Sequence, residues 1–428
     1  MRTMQRGVTH LANVGKWNES LSALSALRHQ MDSLAAPASF STTYQPQLNQ
    51  LYAQLFATLA TGNDLNSEEK ASTAAKLYTQ MRETTTTGEA AVPMMLPSAW
   101  KHYLSTQQSY STIINHVYHD IFKDNAHFAS SSSVAEMGSV LTVIMKQLCA
   151  AHQPAWALRI MNDWIKHQQN INGKTGNGGE TAEAELPPPP PIGAVATLLN
   201  ALSSTNTPHA TEVINLCQSI INNTNNTNPS YSNAVYTTAV TALYNAGAYE
   251  DADELYLVGV STNSLPWPYS GDDEQEEDGR IVLDLHGMST ALAHSFVRCA
   301  LRSSVSLGGT AANAGNMSAN ASSVVDVEEP GSAAHEDANA VCVKPKPRDV
   351  IIITGRGVNS KQKFRPILRP EVQRMLSEEF YPPIGSFTLK KNMGALMVSK
   401  EDVAAWLGHQ KQQTARRMLL LADILKSP

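Results

Sequence analysis

Two short stretches near the C-terminal end carry residue types that suit phosphate chemistry. Residues 281–287 read Ile-Val-Leu-Asp-Leu-His-Gly, and residues 350–357 read Val-Ile-Ile-Ile-Thr-Gly-Arg-Gly. Each is a β-type run that ends in a polar, glycine-containing turn, and a helix-type pattern follows each turn. Strand alternation puts Val282, Asp284 and His286 on one side and Ile281, Leu283 and Leu285 on the other. Asp284 and His286 can then work together at the strand's end. An imidazole titrates near neutral pH and serves as general acid or base; a carboxylate beside it can orient the ring or hold a divalent cation. The second turn is expected to expose backbone N–H groups beside Arg356. From Arg356 to Arg369 there are five basic residues (Arg356, Lys361, Lys363, Arg365 and Arg369) and no acid. Two such turns at one end of one sheet would form a site for phosphate binding or phosphate chemistry. The plainer reading of the same residues is that Asp284 caps the turn and His286 donates a hydrogen bond that fixes the loop.

The elements that must position these turns follow from the pattern around them. Gly287 permits a sharp turn and Ser289 can cap the next helix, in which Leu292, Phe296, Ala300 and Leu301 are expected to face inward and Arg298 and Arg302 outward. Residues 303–347, rich in Ala, Ser, Asn and Gly with an acidic patch at 326–329, read as a disordered insertion. Val350 to Ile353 is apolar on both faces, as in a central parallel strand. A helix starting near Pro366 or Pro370 runs through Val372, Leu376 and Phe380. A hairpin-like pair, 386–389 and 395–398, turns around Lys390, Lys391 and Asn392. Ser399 to Asp402 is a capping-box start for a last helix at 399–428. That helix passes Trp406 toward the leucines at 419–421 and is partly basic through Lys411, Arg416 and Arg417.

The front of the chain reads as helix pairs. The clearest unit is 235–256, where Tyr236, Val240 and Leu243 form one apolar stripe, Gly247 ends the helix, and Ala252, Leu255 and Tyr256 form the second stripe. Weaker copies lie at 15–24, 74–81, 141–164 and 194–221, with another expected at 98–124. Ala74 and Leu77 correspond to Ala252 and Leu255, and Leu148 and Ala157 to Leu243 and Ala252. Residues 170–191, with five consecutive prolines, read as a disordered excursion.

Composition narrows the function classes. The chain has 428 residues and a formal net charge of −6, divided as −12 over residues 1–279 and +6 over 280–428. An anionic ligand is therefore expected to meet the back half first. An acidic linker at 271–279 marks the boundary between a repeat tract at 1–270 and a back domain at 280–398. The four cysteines show no CxxC pair and no spacing with histidine that would hold zinc, so no metal site is expected. No apolar run approaches the length of a membrane span, and no membrane partner is expected. Arg2 and Arg6, with no acid before Glu19, are a weak organelle-targeting signal. The first pair begins almost at Met1, as expected if a targeting segment lies upstream.

The helix pairs resemble the pentatricopeptide repeat family, an α solenoid of stacked antiparallel pairs. The back resembles the Smr (small MutS-related) domain, through Asp284-Leu285-His286-Gly287, then Thr354-Gly355-Arg356-Gly357, then Leu368-Arg369. Where many members continue with His-Ser, this chain has Asn359-Ser360. The resemblance implies a β-α-β-α-β-β sandwich like the C-terminal domain of bacterial translation initiation factor three. It makes Asp284 and His286 the catalytic candidates, with Mg²⁺ as cofactor only if the domain cleaves. Gly287, Thr354, Gly355, Arg356, Gly357, Asn359, Lys361, Lys363, Arg365, Arg369, Lys390 and Lys391 become nucleic-acid contacts, and Thr238 a base-facing position on the repeat tract. Together the resemblances imply an organellar RNA-binding protein, mitochondrial or plastid, acting in RNA processing or translation, and leave open whether its Smr-type domain is an endonuclease. The alternative is a structural or assembly protein of an organellar ribosome that binds ribosomal RNA and ribosomal proteins without catalysis; the acidic front favours it, because phosphate neutralisation supplies most RNA affinity. DNA is the less favoured ligand, since nothing here resembles an ATPase or a clamp.

Overall fold

The computed structural model describes residues 2–34, 45–82, 96–107, 109–112, 114, 131–175, 189–204, 209–223, 228–266, 280–303, 348–355, 366–390, 392–410 and 412. The chain divides into two compact units, 1–227 and 228–428. The acidic linker at 271–279, the insertion at 304–347 and the leucines at 419–421 lie outside the described residues.

In the first unit the described elements of ten residues or more are helices: α1 (Arg2–Asn13), α2 (Trp17–Leu34), α3 (Gln45–Thr61), α4 (Ser67–Arg82), α5 (Pro97–Thr106), α6 (Ser131–Ala150), α7 (Pro154–Thr175), α8 (Ile192–Ser203) and α9 (Ala210–Asn223). Their packing repeats. α1 pairs with α2, α3 with α4, α6 with α7, and α8 with α9. Along the chain, α1 packs on α3, α3 on α5, α5 on α6 and α6 on α8, while α2 packs on α4 and α7 on α9. The turn within a pair also repeats. Gly15, His152 and Gly247 all take positive φ, at 75°, 54° and 76°. The amide after each of them reaches back to the carbonyl of Leu11, Leu148 and Leu243 respectively. This is a left-handed helix stop that satisfies end carbonyls. Ala74, Ala157 and Ala252 are each fully buried, as close helix approach requires. One boundary differs from expectation: α7 continues to Thr175, six residues into the stretch expected to be disordered from Asn170. The helix-breaking prolines begin only at Pro187, and the glycine within those six residues, Gly173, costs a helix only about 1 kcal/mol.

The second unit holds α10 (Pro229–Asn245), α11 (Tyr249–Ser261), β1 (Ile281–Asp284), α12 (Thr290–Ser303), β2 (Val350–Ile353), α13 (Leu368–Glu378), β3 (Ser386–Leu389) and β4 (Asn392–Val398). A further helix, α14, covers 400–410. It begins at the expected cap, where the Asp402 amide donates to Ser399 Oγ at 3.1 Å.

The four strands form one sheet in the order β1-β2-β4-β3. β1 and β2 are parallel, and β4 is antiparallel to both of its neighbours. β2 and β3 therefore point the same way. The two helical connections, β1-α12-β2 and β2-α13-β3, step in the same direction across the sheet. Right-handed crossovers then put both helices on one face, and α12 and α13 do pack together. That face is buried through Ile281, Leu283, Val350, Ile352, Leu396 and Val398. The other face is left partly open: Val282, Ile351, Ile353 and Met397 are half-buried and Phe387 is exposed. β2 is thus central but apolar on a half-open side, not sealed on both faces as a fully parallel sheet would require.

Helices α10 and α11 pack on the outer side of α12. Every residue of α12 from Ala291 to Leu301 is consequently buried. This overturns the expectation that Arg298 faces solvent. Arg298 is only 5% exposed, because a second helical layer covers what would be the solvent side of an isolated α/β domain. Arg302 is exposed as expected. Burial also pushes the Cys217 and Cys299 thiols up to about 12 and the Cys149 thiol to about 11, so all three stay protonated at neutral pH.

Candidate functional site

Strand direction gathers the candidate residues. β1 and β2 run in parallel with Asp284 opposite Ile353, so the turns after them leave the sheet at the same edge. β3 runs the same way as β2, and Leu389 pairs with Asn392, so the β3–β4 turn bearing Lys390 lies at that edge too. α13 starts there as well, with Arg369 Nη1 donating to the Met393 carbonyl at 2.9 Å. Asp284, His286, Gly287, Thr354, Gly355, Arg369 and Lys390 therefore share one edge of one sheet.

Within it, the first turn is held by Asp284, whose Oδ1 accepts the His286 backbone N–H at 2.9 Å. Gly287, at φ 80°, reverses the chain, and the Ser289 hydroxyl caps α12 by accepting the Leu292 amide at 3.4 Å. Asp284 and His286 are both exposed. The second turn meets the first at Gly355. A Cβ there would stand 3.9 Å from His286 Cδ2. The imidazole thus lies beside a residue with no side chain, where a ligand backbone can come close.

The expectation of exposed N–H groups on the second turn is not met at its first two residues. The Thr354 and Gly355 amides both donate to the Gly394 carbonyl, at 2.8 and 3.1 Å. The Thr354 hydroxyl donates to the same oxygen at 3.1 Å, and Thr354 is buried. Thr354 is a latch between β2 and β4, not a surface contact. The reason is topological: β4 sits against β2 and presents an acceptor where a free loop would have presented none. Arg356, Gly357, Asn359, Lys361, Lys363, Arg365 and Lys391 lie outside the described residues. Thr238 is on α10, half-buried, with its hydroxyl donating to the Ala234 carbonyl at 2.7 Å; it is not part of this edge.

Among the described residues no group of three or more His, Cys, Asp or Glu side chains could hold a metal ion. One oxygen of Asp284 already accepts an amide. These side chains by themselves do not build a Mg²⁺ site.

Behind the edge lies a buried polar cluster that sequence reasoning missed. Arg298 on α12 donates to Asp253 on α11 through Nε at 2.8 and 3.1 Å and Nη2 at 2.8 Å, and to Glu379 through Nη1 at 3.1 Å. Arg302 adds a 3.0 Å contact to Asp253. The Arg298 guanidinium also lies 5.2 Å from the Tyr249 ring centre. Nothing in the sequence singled out Asp253, one of four acids between Glu250 and Glu254. His294, fully buried, shares a 2.7 Å hydrogen bond with the Tyr244 hydroxyl.

Burial, and then the charges of Arg298 and Arg374, hold the His294 imidazole well below 6.5, at about 4. The folded state keeps it neutral, whereas the unfolded chain protonates it below its ordinary value. Its stabilising contribution is therefore full above pH 6.5 and lost as pH falls toward 4. That loss is expected to be on the order of 2 kcal/mol. Urea midpoints measured between neutral pH and about pH 4.5 should fall steeply in the wild type and less steeply in His294→Gln.

No family model matches the chain, and no curated protein or solved structure matches it either.

Proposed function

We propose that this is an RNA-binding protein of organellar RNA processing or translation, with a pentatricopeptide-type solenoid in front and an Smr-type domain behind. The observation that carries the reading is the convergence of the Asp284–His286–Gly287 turn, Gly355, Lys390 and Arg369 at one sheet edge. Ligands of open α/β sheets bind outside the carboxyl ends of parallel strands, which is where these residues lie. The helix-on-helix repetition of α1, α3, α5, α6 and α8 supports the solenoid, and the β-α-β-α-β-β order supports the Smr-type domain. Arg369 and Lys390 supply positive charge for phosphates. His286, exposed beside Gly355, is the group able to move a proton at a phosphodiester. Asp284 positions it by fixing the backbone of the turn.

A second reading has its own support. Asp284 Oδ1 and the Thr354 and Gly355 amides are all engaged within the protein, which suits a rigid grip on ribosomal RNA without catalysis. One experiment separates the two. Purified protein is incubated with labelled organellar RNA and Mg²⁺, beside Asp284→Ala and His286→Ala. Cleavage lost in both variants, with binding retained, makes the edge a nuclease site. Binding without cleavage in all three proteins supports the grip, and co-sedimentation with ribosomal subunits then becomes the measurement. Absence of RNA binding in the wild type sinks both readings.

A further inference from the structure

The right-handed crossovers put α12 and α13 on one sheet face, and among the described residues the row of side chains across the other face is apolar from β1 to β3. Val282, Ile351, Met397 and Phe387 are paired in register through β1, β2, β4 and β3. Directly paired residues stand on the same face. The row therefore spans the whole sheet, about 14 Å at the usual strand spacing. Its outermost member, Phe387, is 51% exposed, although burying such a ring is worth about 2 kcal/mol. The pair above this row is Asp284 and Ile353, so the Asp284 carboxylate lies on the same open face. Lys390 follows Leu389 directly, at the β3 end, and the Asp284–His286 turn lies at the β1 end.

We infer that this open face is a stacking platform for the bases of single-stranded RNA, an inference that rests on the RNA reading above. On four-stranded RNA-binding sheets aromatic side chains stack the bases; the single ring in this row, Phe387, stacks one base. Phe387 supplies a ring face that stacks on any base, and Met397 supplies a soft, polarisable neighbour. The charge layout suits the same occupant. Lys390, exposed at the end of β3 three residues beyond Phe387, draws phosphates to that end of the face, and the strand then crosses toward His286. A duplex hides its base faces and cannot use the platform.

The test measures binding of the full chain to a 2-aminopurine-labelled single strand and to a duplex of the same sequence. Wild type, Phe387→Ala, Phe387→Tyr and Lys390→Ala are compared. Phe387 is half in solvent, so its replacement leaves the core intact; a thermal melt checks this. The expected result is preference for the single strand and quenching of 2-aminopurine. Phe387→Ala should weaken single-strand binding about 5- to 100-fold, Phe387→Tyr should restore it, and duplex binding should not change. Equal binding by wild type and Phe387→Ala, while Lys390→Ala weakens it, overturns the platform and leaves the RNA reading standing. A change in self-association of Phe387→Ala, without any change in RNA binding, also overturns it, by making the face a contact between copies. No binding to either RNA overturns the platform and the RNA reading together.

Discussion

Replacing Asp253 with alanine should destabilise the second unit by about 3–5 kcal/mol, the usual cost of leaving one member of a buried ion pair alone. The Asp253 side chain is 3% exposed and the Arg298 side chain 6%. Arg298 directs three of its hydrogen bonds at that carboxylate, so Asp253→Ala leaves a buried guanidinium with Glu379 as its one remaining carboxylate. The Arg302 contribution is minor, because that side chain is half in solvent. Amide hydrogen exchange in α11 and α12 reads the effect directly, as faster exchange in both helices. Asp253→Leu combined with Arg298→Met should lose less than Asp253→Ala alone, since the groups that then lose a partner, Glu379 and Arg302, are 20% and 52% exposed and stay solvated. A cost below about 1 kcal/mol for Asp253→Ala would show that the pair is solvated in solution.

A fragment beginning at residue 280 is expected not to fold cooperatively, whereas one beginning at residue 228 is. The shorter fragment lacks α10 and α11, which cover the outer side of α12. It strips Arg298 of Asp253, breaks the Tyr244–His294 hydrogen bond and removes the Tyr256 ring from Phe296. An unpaired buried arginine costs about 3–5 kcal/mol, and each large apolar side chain returned to water about 2 kcal/mol. Their sum rivals the whole stability of a typical domain, about 5–15 kcal/mol. Dispersed amide resonances and a sharp melt from the longer fragment alone would bear this out. A cooperative melt from the shorter one would show that the helix pair is dispensable.

Much of the local structure was legible in residue order. Gly15 and Gly247 mark helix stops because glycine takes positive φ at little cost. The same stop recurs at His152, which the sequence did not flag because histidine seldom takes positive φ; Leu148 and Ala157 stand around it at the spacing of Leu243 and Ala252. The Asp284 and Gly287 turn was readable because its hydrogen bond joins residues two apart. The alternation along β1 was readable because strand faces have a period of two.

What the tertiary structure decided involves partners far away in sequence. Thr354 looked like part of a phosphate-binding turn until Gly394, forty residues on, took its amide and hydroxyl. Arg298 looked solvated because a helix's own pattern does not say how many layers will cover it; Asp253, forty-five residues earlier, made it a core residue. The open face bearing Phe387 follows from two crossovers stepping the same way across the sheet. The sequence by itself determined which turns could form, since turn geometry depends on neighbouring residues. Only the tertiary structure decided which groups at those turns stay available to a ligand, since that depends on which distant acceptors reach them first.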